Sequence, residues 1–142
     1  MAKRSKPTLF VADDERDFRS FVRKVAEDDG WEVVECVDGV ELLDELERNT
    51  NDGLILLDML MPRMDGIESI VRFNGLHRKL PICMITGGPY VHIEAANLLG
   101  DAEGLPIVNT LFKPIKIDDL LEVFSACRNG EFQVGLDMWS VG

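Results

Sequence analysis

No apolar run in this 142-residue chain approaches the roughly 20 residues that a membrane helix needs, and the opening MAKRSKPTLF lacks the long apolar core of a secretory signal. Neither export nor membrane insertion is expected, and the expected location is cytoplasmic. Basic residues are also scarce, with 15 Lys and Arg against 26 Asp and Glu and a formal charge of -11. That excess repels phosphate backbones and anionic lipid, which argues against nucleic acid or membrane as direct partners and in favour of cations or basic protein surfaces. The three cysteines, Cys36, Cys83 and Cys127, lie far apart among apolar neighbours with no CxxC spacing. They read as reduced, buried thiols. His77 and His92 are isolated, without partner ligands at metal spacing, and read as surface or helix-end residues. What remains is 46% apolar and 29% charged, too ordinary a balance for disorder, and the length suits one compact domain.

Two apolar patterns alternate along the chain. Short dense runs at TLFVA (8–12), EVVECV (32–37), GLILLD (53–58), PICMI (81–85) and PIVNTLF (106–112) predict strands. Between them, Phe18, Phe21, Val22 and Val25 recur at helical spacing and predict a helix from about Glu15 to Asp29, ended by Gly30. A second helix follows Asp38 as N-cap and turns Leu42, Leu43 and Leu46 inward. A third carries Ile67, Ile70 and Val71, and a fourth, between glycines, covers about Tyr90 to Leu99. The last shows Ile117, Leu120, Leu121 and Phe124, with Asp118 and Asp119 in a first turn that favours negative charge. Five strands alternating with five helices imply an α/β fold with a parallel sheet covered on both faces. After Arg128 the pattern changes, because Phe132, Val134, Leu136 and Met138 alternate at period two. The expected division is therefore a domain over 1–128 and a tail over 129–142, an added strand, a docking segment or a linker.

Ligands of open parallel sheets bind beyond the carboxyl ends of the strands. There the chain places Asp13, Asp14 and Glu15 after the first strand, Asp58 at the end of the third, Thr86 at the fourth, and Lys113 with Pro114 at the fifth. Asp58 is the sharpest feature, a carboxylate directly after LILL. Three clustered carboxylates repel one another unless a hard divalent cation or a lysine offsets them. Lys113 supplies one positive charge, and the remaining negative charge suits Mg²⁺, which prefers oxygen ligands. A carboxylate nucleophile, a metal, a cationic side chain and a hydroxyl are together the parts that accept a phosphoryl group. In that chemistry Asp58 attacks phosphorus, Mg²⁺ and Lys113 neutralise the phosphoryl oxygens, and Thr86 donates a hydrogen bond. Met59, Met61 and Met64 sit among hard oxygen donors and read as loop packing, not as a soft-metal site.

The elements VADDE (11–15), LILLDMLMPRMDG (54–66), MITG (84–87) and LFKP (111–114), in this order, resemble the receiver domains of two-component response regulators over residues 8–127. The resemblance implies a flavodoxin-like (βα)5 three-layer sandwich with strand order 2-1-3-4-5. It implies Asp58 as phosphoacceptor, Asp13 and Asp14 as Mg²⁺ ligands directly or through water, and the Leu60 carbonyl as a further ligand. It gives Thr86 and Lys113 their phosphoryl contacts, with a cis Lys113–Pro114 peptide aiming Lys113 into the site. The implied donor is a sensor histidine kinase or histidine phosphotransfer protein, and the implied output is a switched protein contact, in a monomer or a phosphorylation-linked dimer. Such a unit catalyses only its own modification.

An aspartyl-phosphate phosphatase on a related sheet is a competing reading, but that class uses an acid two residues after the nucleophile, where this chain has Leu60. Another is a receiver piece of a hybrid kinase or multidomain regulator. Two features depart from the family pattern. Thr110 stands where receivers often carry a switching aromatic, with Phe112 the nearest ring, and the MITGG segment is similar to an atypical single-domain subgroup. Leu60 and Gly88, at positions that tune dephosphorylation in the family, offer no side chain to orient water. The expected outcome is slow loss of the phosphoryl group from purified protein in Mg²⁺, and a lifetime of only seconds would contradict it.

Overall fold

The computed structural model describes residues 6–58, 80–87 and 107–131. Their strands form one parallel sheet of β1 (Thr8–Ala12), β2 (Glu32–Cys36), β3 (Gly53–Asp58), β4 (Ile82–Thr86) and β5 (Ile107–Phe112). The order is β2-β1-β3-β4-β5, as the resemblance implied. The chain steps from β1 out to β2 and then returns past β1 to β3, so the order reverses between β1 and β3, where α/β sheets open a crevice. Among the described residues the helices are α1 (Arg16–Asp28), α2 (Gly39–Arg48) and α3 (Ile117–Arg128). The helix expected to carry Ile67, Ile70 and Val71 and the one expected over about Tyr90 to Leu99 lie outside the described residues. So do Met59, Leu60, Met61, Met64, His77, Gly88, His92 and the tail from Phe132 onward.

Side chains alternate across a strand, and here the alternation sorts the apolar residues into two cores. Phe10 and Ala12 of β1 join Ile55, Leu57, Ile82 and Met84 beneath Leu42 and Leu46 of α2. Leu9 and Val11 join Leu54, Leu56, Cys83 and Ile85 on the other face, against Val22 and Ala26 of α1 and Leu120, Val123 and Phe124 of α3. β1 and β3 are buried at every position because they have a neighbour on both sides and cover on both faces. The edge strands β2 and β5 are mostly half-buried, and Asn109 and Phe112 of β5 are exposed. Burial holds the thiols of Cys36 and Cys83 up at about 12. Cys127, expected to be buried, is only half-buried in the last turn of α3, though its thiol is still pushed up to about 11.

The helix ends follow from local sequence. Asp38 accepts the Glu41 N–H at 2.9 Å, and Glu41 reaches back to the Val37 N–H at 2.9 Å, so the first turn of α2 is closed by side chains. α1 ends at Gly30 with φ 94°, which lets the N–H of Gly30 meet the Glu27 carbonyl and that of Trp31 meet the Ala26 carbonyl. The buried Trp31 then packs on Phe124, ring centroids 5.2 Å apart, while Arg128 of α3 clasps both the carboxylate and the carbonyl of Asp29. These contacts fasten α1 to α3 at the amino ends of the strands.

Ion pairs join α1 to β2. Glu35 takes Arg19 Nε at 3.0 Å and Arg23 Nε at 2.6 Å on its two oxygens, and Arg23 also reaches Glu27 at 2.8 Å. Burial raises the Glu35 carboxyl, but the hydrogen bonds from Arg23 and Arg19 outweigh it and hold the group below its usual 4.5. A depressed carboxyl stabilises the fold above its unfolded value and loses that contribution as pH falls through its folded value.

Two outcomes follow from this packing. A Cβ built on Gly53 falls 1.8 Å from the Thr8 carbonyl oxygen, against backbone that holds the β1–β3 pairing. Gly53→Ala is therefore expected to cost more than about 2 kcal/mol in a denaturant titration, and an unchanged midpoint would contradict the close approach. Glu35→Gln is expected to lower Tm at neutral pH, by the equivalent of about 1 kcal/mol, and to match the parent as pH falls from about 5 to about 3. A gap that stays constant with pH would show that the carboxylate charge is not what Glu35 contributes.

Candidate functional site

Strand register brings the acids together. Ala12 of β1 pairs with Leu57 of β3, so Asp13, the next residue, comes level with Asp58. Asp58 pairs with Ile85, and Thr86 closes β4 in register with Phe112, one residue before Lys113. Asp13, Asp58, Thr86 and Lys113 thus stand at one rim, the carboxyl ends of β1, β3, β4 and β5. Asp13 is fully buried, Asp58 is 5% exposed and Asp14 is exposed. One carboxylate oxygen from each of Asp13, Asp14 and Asp58 lies within 4.8 Å of the others.

Asp13 is hydrogen-bonded at its N–H, its carbonyl and one carboxylate oxygen. Its N–H donates to the Cys36 carbonyl at 3.0 Å, its carbonyl accepts from Arg19 Nη1 at 2.7 Å, and its Oδ1 accepts from the Glu15 N–H at 2.7 Å. Its Oδ2 makes an ion-pair contact with Lys113 Nζ at 2.7 Å, in a direction that gives no hydrogen bond. A fully buried carboxylate oxygen with an unused lone pair, in reach of two more carboxylates, is what a hard cation binds. The three acids therefore fit an oxygen-ligated divalent ion.

Lys113 follows β5 and precedes a cis peptide to Pro114. Its ammonium lies 2.6 Å from Glu15, 2.7 Å from Asp13 and 3.9 Å from Asp58, and 4.5 Å from the centre of the Phe18 ring. Burial pulls the Lys113 pKa down, but its contacts with Asp13 and Glu15 and the charge of Asp58 outweigh that and raise it. Lys113 is thus drawn more closely to the β1 end than to Asp58. The hydrogen bond from Lys113, with its charge, holds the Glu15 carboxyl below its usual range although Glu15 is exposed.

The structure brings together Asp13, Asp14, Asp58 and Lys113 and sets the backbone of Thr86 on the same rim. Leu60 lies outside the described residues. Sequence reading places Glu15 beside the acids without a partner, reads Phe18 only as an apolar position on the face of α1, and passes over Arg19. Glu15 and Lys113 are 98 residues apart, so only the sheet brings them together. Arg19 carried a weak signal, the i, i+4, i+8 line of Arg19, Arg23 and Glu27 along α1. At the position where receivers often carry an aromatic, Thr110 is half-buried, and Phe112 is 45% exposed.

Comparison with known proteins agrees with this geometry. The family model described as the response regulator receiver domain matches residues 9–125. Response regulator MprA of Mycobacterium tuberculosis is 34% identical over 113 residues, covering 80% of this chain and 46% of that protein. The chain thus spans about half the length of the curated relatives it matches. Among solved structures, the chemotaxis protein CheY4 of Vibrio cholerae superimposes with a TM-score of 0.72 at 27% identity, covering 87% of this chain and 99% of that one. A CheY-like receiver domain protein of Methanospirillum hungatei gives 0.70 at 28% identity, covering 88% and 99%. With its sheet order, its rim of acids and these matches in accord, the chain belongs to the response regulator receiver domains of two-component signalling.

Proposed function

We propose that Asp58 accepts a phosphoryl group from a sensor histidine kinase or histidine phosphotransfer protein, with Mg²⁺ held by Asp13, Asp14 and Asp58. The observation that carries this reading is the gathering of three carboxylates within 4.8 Å around the buried Asp13, with the Lys113 ammonium beside them. In the reading, residues 1–128 form the receiver unit and the Leu60 carbonyl is a further ligand. When bound, Mg²⁺ supplies the positive charge that lets phosphoryl oxygens approach a rim of acids.

The chain's own residues do the rest. An Asp58 carboxylate oxygen forms the new P–O bond while the donor's bond to phosphorus breaks. With a phosphohistidine donor the broken bond is P–N and the imidazole leaves with a proton, whereas with acetyl phosphate it is P–O and acetate leaves. Lys113, 3.9 Å from Asp58 Oδ2, is in place to pair with a phosphoryl oxygen. The Thr86 hydroxyl and the backbone N–H groups after β4 donate hydrogen bonds to the others. The product is an acyl phosphate on Asp58. It changes which protein surface the unit presents, and no substrate is turned over beyond the residue itself.

Intact mass after incubation with Mg²⁺ and acetyl phosphate tests the reading. The expected result is a gain of one phosphoryl group that disappears in Asp58→Asn and with a chelator. If neither acetyl phosphate nor a phosphorylated histidine kinase domain adds a group to the parent protein, the chain is a binding module without phosphoacceptor chemistry.

A further inference from the structure

We propose that Arg19 is a positioning residue for the cation site, fixing Asp13 and Asp14 relative to each other through the peptide that joins them. The proposal rests on the reading of these acids as a Mg²⁺ site, and concerns a side chain that touches none of the acids' carboxylates in the contacts described.

The Asp13 carbonyl belongs to the rigid plane between Asp13 and Asp14, so a group that holds this oxygen restrains ψ of Asp13 and φ of Asp14 together. Those two angles decide whether the buried and the exposed carboxylate converge. Arg19 Nη1 donates to that oxygen at 2.7 Å. Rotation of the arginine is limited in turn, because its Nε donates to Glu35 Oε1 at 3.0 Å and its side chain is only 11% exposed. One planar guanidinium thus spans an acceptor on β2 and an acceptor at the site.

β2 then grips Asp13 twice. The Cys36 carbonyl takes the Asp13 N–H at 3.0 Å, and Glu35, the preceding residue, holds Arg19 on the Asp13 carbonyl. The other oxygen of Glu35 takes Arg23 Nε at 2.6 Å, and Arg23 also donates to the Val33 carbonyl at 3.3 Å. The chain of contacts runs from the β2 edge to the junction of the two acids without using Asp58 or Lys113. Arg23 shares the Glu35 partner and the positive charge, but it has no contact with Asp13 among those described, so it serves as a matched control.

The sign of the effect separates positioning from electrostatics. Removing a positive charge near three acids would by itself tighten cation binding. Loss of positioning weakens it, typically tenfold or more for groups that orient metal ligands. The test is titration of the metal-free full chain with MgCl2 by calorimetry, alongside thermal melts in chelator, for the parent, Arg19→Ala, Arg19→Lys and Arg23→Ala. The expected result is a Kd for Mg²⁺ raised about tenfold in Arg19→Ala, and raised less in Arg19→Lys, which keeps the charge but not the fork. Arg23→Ala is expected to keep the parent Kd or lower it, even if its Tm falls as far as that of Arg19→Ala.

Equal Kd values for Arg19→Ala and Arg23→Ala, or tighter binding in both, would overturn the proposal. If Arg19→Ala does not fold, Arg19→Lys decides, and a parent-like Kd in that variant would overturn it. A parent protein that binds no Mg²⁺ and takes no phosphoryl group would remove the reading of the site and this inference with it. A parent that does both, beside an unaffected Arg19→Ala, would remove the inference alone.

Discussion

Like charge crowded into a small space is the constraint around which the described part of this molecule is organised. Three carboxylates share a rim within 4.8 Å, and one of them, Asp13, is fully buried. A buried charge is costly unless every polar atom around it is occupied. Asp13 is accordingly supported by the Cys36 carbonyl, Arg19, the Glu15 N–H and Lys113, contributed by β2, α1, the β1–α1 turn and the end of β5. Only Oδ2 is left without a hydrogen bond, and it faces the cluster.

The two ends of the sheet divide the work. At the amino ends of the strands, packing is tight: Gly53 lies against Thr8, Trp31 packs at a tilt on Phe124, and Arg128 clasps Asp29. β1 and β3, buried at all positions, carry that rigidity across to the carboxyl ends. There the same strands release Asp13 and Asp58 side by side, at the point where the strand order reverses. Placing the chemistry on strand ends keeps the acids in position despite repulsion that a free loop would relieve by moving apart. Lys113 offsets part of the charge, yet its closer contacts are with Asp13 and Glu15, so it balances the cluster while Asp58 stays at 3.9 Å.

Most of this plan was legible in the sequence because it rests on local patterns. Dense apolar runs gave the strands, with ends displaced by a residue in β2, β4 and β5, and the 3-4-7 spacing of Phe18, Phe21, Val22 and Val25 gave α1. Gly30 and Asp38 marked helix ends through their backbone and capping chemistry. The acids stood out as carboxylates directly after apolar runs. The strand order came from resemblance to receiver domains, since nothing in periodicity dictates that β3 lies on the far side of β1. What escaped was long-range. Glu15 meets Lys113 across 98 residues, and Arg19 gains its meaning only when β2 lies alongside α1. The partial exposure of Cys127 was equally invisible, because exposure is decided by neighbours that the helix does not itself encode.

On the proposed function, the rim concentrates its chemistry on one carboxylate out of three, that of Asp58. Borohydride reduction of the phosphorylated protein, followed by peptide mapping, identifies that carboxylate, because reduction of an aspartyl phosphate leaves homoserine at the modified position. Homoserine is expected at position 58, with intact aspartates at 13 and 14. Homoserine at Asp13 or Asp14, or at no aspartate in a protein that carries the added phosphoryl group, would contradict it.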